Sequence, residues 1–159
     1  MHPDNIVSQI KERFPEDVIS TGSAFGQTWA VVRRDNIVGI CRFLKDDPDI
    51  KMDYLIDITA VDLMPRTPRF EVVYHLHSMR YAHRLRLKVP LEEDDATIPS
   101  VSGVWKTSPW HEREAFDMFG IRFDGNPDLR RILMPDDWEG HPLLKDYPVE
   151  GPDWQFKPW

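Results

Sequence analysis

The residues able to do chemistry are concentrated near the C-terminus. Trp110-His111-Glu112-Arg113-Glu114-Ala115-Phe116-Asp117-Met118-Phe119-Gly120 leads to Asp128-Leu129-Arg130-Arg131, then to Gly140-His141-Pro142-Leu143-Leu144-Lys145-Asp146-Tyr147-Pro148. Carboxylates, imidazoles and guanidinium groups at this density suit either acid–base catalysis or ion pairing. Glu112 and Glu114 are the first candidate acid–base pair. Two positions apart on a helix, however, they point in different directions. His111 diverges from Glu112 for the same reason. Asp136 and Asp137, or Asp146, could form a carboxylate site with His141, but nothing positions a nucleophile beside them. A hydrolytic site is therefore without support.

Three other groups raise a sharper chemistry. His75 and His77 lie two apart in a β-type run, so they share one face, and His83 could approach across a hairpin. Three imidazoles can ligate zinc, but no H-E-x-x-H helix accompanies them, and histidines on exposed strand faces are common. Gly22 and Gly26 fit neither a dinucleotide nor a phosphate-loop spacing, and read as a hairpin turn. Cys41 is the single cysteine, which excludes an internal disulfide and a four-cysteine iron–sulfur cluster. On the apolar face of a helix it reads as a buried, inert thiol.

The elements that position these residues follow from periodicity. Ile6, Val7, Ile10 and Phe14 share a helix face that Pro15 ends. Short strands are expected at 18–21 and 28–33, with the turn across 22–26. A second helix follows, with Asp35 as its cap, Ile37, Ile40, Cys41 and Leu44 on its buried side, and Asp46-Asp47-Pro48 as its stop. Strands at 54–64, 70–77 and 83–89 come next, the last two as a hairpin around 79–82. In the third of these, Leu85, Leu87 and Val89 face the core, while Arg84, Arg86 and Lys88 face away. An acidic loop covers 91–96. Ser108-Pro109 opens the last helix as cap and first residue, Arg113 and Asp117 can pair along it, Phe116 and Phe119 can face the core, and Gly120 ends it.

Beyond Gly120, Pro127, Pro135, Pro142, Pro148, Pro152 and Pro158 interrupt any helix or central strand. The tail is expected to run extended over a surface, anchored by Trp138, Tyr147, Trp154, Phe156 and Trp159. With 159 residues the chain most simply forms one domain, burying roughly two-thirds of its unfolded surface. Its 30% charged and 41% hydrophobic residues permit a core while leaving a solvated or partner-facing surface. The net charge of −7 argues against nucleic acid. No run reaches the roughly twenty apolar residues of a membrane span, and no basic-then-apolar leader begins the chain, so a protein of the reducing cytoplasm is expected.

The run Glu112-Arg113-Glu114, Asp117-Met118-Phe119-Gly120-Ile121, Asp128-Leu129-Arg130-Arg131-Ile132-Leu133, Glu139-Gly140-His141-Pro142 and Lys145-Asp146-Tyr147-Pro148 resembles the C-subunit family of NADH–quinone oxidoreductase, respiratory complex I. The resemblance extends upstream through Asp53-Tyr54-Leu55, Ala60-Val61-Asp62 and the helix at 36–45. Asn126 stands where that family generally has a basic residue, and Leu144 where arginine is common. The resemblance implies a two-layer α+β fold: helix, two strands, helix, three strands and helix with a mixed sheet. It divides into an α+β domain at 1–125 and an extended, proline-rich tail at 126–159.

It further implies a peripheral-arm subunit on the cytoplasmic side of the cell membrane, with no membrane span of its own. Such a subunit is held between the D-type subunit and its iron–sulfur neighbours in a hetero-oligomeric complex. FMN and iron–sulfur clusters then lie in partner subunits and none in this chain. The expected partner-binding residues are Glu112, Arg113, Glu114, Asp117, Phe119, Asp128, Arg130, Arg131, His141, Lys145, Asp146 and Tyr147, some of them acting as internal braces. Truncation after Gly125 is expected to abolish assembly. An equivalent subunit of a related membrane-bound hydrogenase fits the same motifs; a stand-alone metal-dependent enzyme is the reading from another class.

Overall fold

The computed structural model describes residues 3–149; Trp154, Phe156 and Trp159 lie outside the described residues. The elements are α1 (Pro3–Arg13), β1 (Val18–Ala24), β2 (Gln27–Val32), a 3-10 turn (Arg34–Asn36) and α2 (Ile37–Asp46). Then come β3 (Tyr54–Asp62), β4 (Phe70–His77), β5 (Arg84–Leu91), β6 (Thr97–Pro99), α3 (Ser108–Phe119) and β7 (Arg122–Asp124). The main sheet has five strands in the order β1-β2-β5-β4-β3. It is antiparallel except where β2 meets β5, so the expected mixed α+β architecture is present.

Alternation along the strands sorts the sheet into two faces. Ala30, Val32, Ile58, Ala60, Val72, Tyr74, Leu76, Leu85, Leu87 and Val89 turn toward the helices. There they meet Ile6 and Ile10 of α1, Ile37, Ile40, Cys41 and Leu44 of α2, and Ala115, Met118 and Phe119 of α3 in one cluster. The three helices thus cover one face. The opposite face carries Trp29, Val31, His75, His77, Arg84, Arg86 and Lys88, as the register of the ladders requires.

Several local expectations are corrected. Gly22 and Ser23 belong to β1, and the turn is the two-residue Phe25-Gly26 between the paired Ala24 and Gln27. Gly22 is needed for packing: a Cβ there would lie 2.4 Å from the Trp29 ring. Asp35 does not cap α2; it lies in the 3-10 turn, and Asn36 at the cap position donates its amide to Asp17 at 2.7 Å. Ser108 is not the cap of α3 either. Thr107 precedes the helix, and the Ser108 hydroxyl donates back to the Trp105 carbonyl at 2.9 Å. The β3 strand ends at Asp62, and Leu91 closes β5 rather than opening the acidic loop. The parallel pair β6–β7 had no sequence signal, since each strand is only three residues long.

Phe25 has φ 52° and is fully exposed. It occupies a left-handed position of a hairpin turn that favours asparagine or glycine, and its ring gains no burial in return. Phe25→Asn should stabilise the chain by roughly 0.5–1 kcal/mol. Thermal denaturation checks this; an unchanged or lower midpoint contradicts it.

Candidate functional site

Helix α3 presents charge to the interior. Glu112 and Asp117 have no solvent exposure, and Arg113 only 7%. Such groups are tolerated only when hydrogen bonds and opposite charges replace lost hydration. Each has a set of internal partners, and the tail supplies many of them.

Asp117 is the hub. Its Oδ2 accepts the backbone N–H groups of Ile132, Leu133 and Met134 at 3.0, 2.8 and 2.9 Å. Its Oδ1 accepts from the Arg131 guanidinium at 2.6 Å, and the same guanidinium donates to the Gly140 carbonyl at 2.9 Å. Arg113 therefore does not pair with Asp117 as expected. It reaches the tail instead, donating to the carbonyls of Arg130 at 3.1 Å and Arg131 at 2.7 Å. At the end of α3, Gly120 adopts φ 77°, and a Cβ there would lie 2.8 Å from the His141 ring. His141 fills that space and donates Nδ1–H to the Asp117 carbonyl at 2.9 Å.

Glu112 makes a second anchor, met by neutral donors. It accepts from the Ser100 hydroxyl at 2.7 Å, the Val101 N–H at 2.8 Å and the Asn126 amide at 2.7 Å. Asn126, one of the two departures from the family pattern, thus holds this carboxyl group without a charge of its own. Leu144, the other, packs partly buried against the core.

The third anchor was missed from sequence. Arg69, 6% exposed, grips Asp62 through Nε at 3.1 Å and Nη2 at 2.9 Å. It also reaches Asp146 of the tail at 2.6 Å and the carboxylate of Glu93. Asp62 in turn accepts the Lys145 N–H at 2.9 Å, while the Lys145 ammonium donates to the Met64 carbonyl at 3.0 Å. One signal could have found it. Ile58, Ala60 and Asp62 fall on the same strand face, so the alternation puts a carboxylate inside, where it requires a cation.

The expected site residues therefore divide. Glu112, Arg113, Asp117, Arg131, His141, Lys145 and Asp146 join the tail to the domain, and Phe119 is core. The Tyr147 hydroxyl donates to the Glu139 carbonyl at 3.1 Å within the tail. Asp128 pairs with Arg130 at 2.9 Å, both well exposed, and Glu114 is exposed. Trp110, Leu133 and Leu143, 60%, 56% and 54% exposed, surround this region as apolar groups that charge patterning did not single out. His141 and Asp146 serve separate anchors, so the postulated carboxylate–histidine site is not brought together.

The three histidines are also held separately. His75 pairs with Asp57 at 2.5 Å, His77 donates to the His83 carbonyl at 3.0 Å, and His83 donates to the Ile50 carbonyl at 2.7 Å. Among the described residues no group of three histidine, cysteine or carboxylate side chains is arranged to hold a metal. No described helix is long and apolar enough to cross a membrane.

Comparison with known proteins gives a consistent set of matches. The model of the family described as the respiratory-chain NADH dehydrogenase 30 kDa subunit matches residues 30–153. The C subunit of NADH-quinone oxidoreductase from Geotalea uraniireducens is 46% identical over 147 residues, covering 92% of this chain and 88% of that one. A C subunit of the same enzyme from Rhizobium etli, the one numbered 2, is 50% identical over 142 residues, covering 89% and 75%. Among solved structures, the trypsin-resistant fragment of Nqo5 superposes with TM-score 0.70 at 27% identity, covering 81% of this chain and 100% of the fragment. A chain of the membrane-bound sulfane sulfur reductase, an archaeal respiratory membrane complex, gives TM-score 0.74 at 28% identity, covering 92% and 85%.

The anchors differ in their response to pH. Burial pushes the Asp117 carboxyl up, but the Met134 N–H, the Arg131 guanidinium and the N–H groups of Ile132 and Leu133 outweigh it and hold it below the usual carboxylate range. The Arg69 hydrogen bonds, against burial, hold Asp62 lower still. Burial dominates at Glu112 and raises it. Asp62 and Asp117, depressed in the fold, stabilise it above the unfolded carboxylate value of about 3.9, and that stability is lost as pH falls through their folded values. Glu112 acts in the opposite sense, since protonation relieves its burial. Acidification below about pH 4 should therefore loosen the tail, seen as lower amide-exchange protection factors at Ile132, Leu133 and Met134. Asp117→Ala should cost about 3–5 kcal/mol at neutral pH by denaturant titration; a loss below ~1 kcal/mol contradicts the hub.

Proposed function

This chain belongs to the respiratory-chain NADH dehydrogenase 30 kDa subunit family, and we propose that it is the C subunit of a proton-translocating NADH–quinone oxidoreductase. The observation that carries this is the match across 30–153, which takes in α2, β3 to β5, α3 and the anchored tail together. The chain then acts as a structural and assembly subunit. Electrons pass from NADH through FMN and iron–sulfur clusters held by other subunits to quinone, and this chain contributes no redox or catalytic group of its own. It sits peripherally on the cytoplasmic side of the membrane, between the D-type subunit and iron–sulfur subunits of the arm.

The anchored geometry refines which residues make those contacts. Groups engaged in holding the tail present little free hydrogen-bonding capacity to a partner. The contact surface around α3 is better supplied by the exposed remainder: Glu114, Asp128, Arg130, Trp110, Leu133 and Leu143. Tryptophan and arginine are the types most enriched among binding hot spots, and the leucines give the apolar contact. The anchoring residues act there indirectly, by fixing the tail that carries this surface. The likeness to the sulfane sulfur reductase chain favours one second reading, an equivalent subunit of a related membrane-bound respiratory complex.

Affinity purification of the tagged chain from its native membranes separates these readings. Recovery with a flavoprotein, iron–sulfur subunits and NADH–quinone oxidoreductase activity is expected; a cluster-bearing complex without an NADH-oxidising flavoprotein supports the second reading. Recovery of the chain alone contradicts both. Leu133→Asp combined with Leu143→Asp should lower recovery of the complex at least about tenfold, with the melting temperature of the isolated chain unchanged.

A further inference from the structure

The face of the main sheet turned away from the helices mixes apolar and charged side chains. The register sets out its rows. Tyr54, His77 and Arg84 lie across one end; Asp57, His75, Arg86 and Trp29 form the next row; Thr59, Val73, Lys88 and Val31 follow; Val61 and Glu71 lie beyond. Its apolar groups are Trp29 and Val31 on β2, Val73 on β4 and Val61 on the edge strand β3, interleaved with the charged side chains of β4 and β5. Trp29 lies over Gly22 with the Arg86 guanidinium and the Lys88 ammonium each 5.9 Å from its ring centre. No described helix lies on this face, because the buried sides of all three join the core on the other.

The charges on this face are unevenly satisfied. Glu71 pairs with Lys88 at 2.8 Å, and Asp57 pairs with His75. Both carboxylates are thereby engaged. Arg84 is exposed, and its guanidinium has no hydrogen-bond or ion-pair partner among the described residues. Arg86 donates through Nη2 to the neutral Gln27 amide at 2.6 Å, while its buried Nε has no partner. Two guanidinium groups without a carboxylate thus lie in adjacent rows of this face, Arg86 over the Trp29 ring and Arg84 beyond it, in a chain whose net charge is −7. Beside them is a depression of about 400 Å³ bordered by Gln27, Asp57, His75 and Arg84. A guanidinium fork matches a carboxylate bidentately, and a buried donor left unpaired favours an acceptor that reaches it.

We propose that this sheet face is a second interface of the protein within its assembly. It receives an acidic surface of another subunit of the same complex, whose carboxylates engage Arg84 and Arg86 while apolar side chains cover Trp29 and Val31. The assignment rests on membership of a multisubunit complex, but it concerns a surface remote from the α3 and tail contacts. Charge complementarity selects the occupant: a second copy of this acidic chain brings the same guanidinium groups against themselves.

The test uses the assembled complex, with Tyr54 replaced by p-benzoylphenylalanine for photo-cross-linking. Cross-links to an aspartate- or glutamate-rich segment of another subunit are expected. Cross-links to a second copy, to residues 150–159 of the same chain, or none from an intact complex overturn the proposal. In parallel, Arg84→Glu with Arg86→Glu should lower recovery of the complex at least about tenfold, while lysine at both positions retains most of it. Arg84→Glu alone breaks no side-chain hydrogen bond or ion pair among the described residues, so it decides the matter if the double variant fails to fold; undiminished recovery rejects the interface. Wild-type chain recovered without any partner subunit contradicts the functional assignment itself, whereas an intact complex with an exposed sheet face contradicts only this interface.

Discussion

A carboxylate sealed from water must be met by donors, and that requirement fixes the C-terminal third of this molecule. Asp117 on α3 has no exposure, and its side-chain partners are all in the tail: three successive backbone N–H groups and the Arg131 guanidinium. The three N–H groups converge on one oxygen, so the chain at 132–134 must curl around it. Arg113 then accounts for the carbonyls of Arg130 and Arg131, leaving that turn supported from both donor and acceptor sides. An aperiodic, proline-interrupted segment gains a defined path without helix or sheet. Asp62 and Arg69 repeat the principle farther along, where Asp146 and the Lys145 N–H are caught.

Buried ion pairs contribute little net stability compared with apolar packing of the same volume, but breaking one is costly. That asymmetry suits a device that specifies position. Apolar contacts alone could hold Leu129, Met134 and Leu144 against the core in several registers. The directional bonds to Asp117 admit one. The consequence is a separation of roles along the family motif: its most densely charged residues hold the tail, while neighbours such as Leu133, Leu143 and Arg130 remain at the surface.

The layered fold was legible because periodicity reports burial. The buried residues of α1 and α2 fell where three- and four-residue spacing put them, and alternation in β5 separated Leu85, Leu87 and Val89 from Arg84, Arg86 and Lys88. Local chemistry was less legible. Ser108 has the residue type of a cap but bonds backward to Trp105, and Asp35 is displaced by a 3-10 turn that spacing does not encode. Partners at long separation were not legible at all. Arg113 and Asp117 are correctly spaced to pair, yet each finds a stronger arrangement in the tail, because buried charge favours several fixed donors or acceptors over one exposed neighbour. The family resemblance drew attention to the segment that carries these anchors without saying which of its charges face inward.

Anchoring before docking has an energetic consequence for assembly. Ordering a flexible residue costs about 1–2 kcal/mol of backbone entropy, so a tail that ordered only on docking would take that cost out of the interface. Here Asp117, Glu112 and Arg69 impose the order within the folded chain, so the exposed side chains of 126–149 already have defined positions for the contact proposed above. A modest apolar patch can then bind with useful affinity, because little of its interaction energy is offset by ordering. The same reasoning covers the sheet face, where Trp29 is held by Gly22 and two cations before any contact forms. The two surfaces are rigid for different reasons: one by ladder hydrogen bonds, the other by buried charge. The second depends on buried carboxylates that acid can neutralise, so acidification loosens the α3 surface through Asp117 and Asp62.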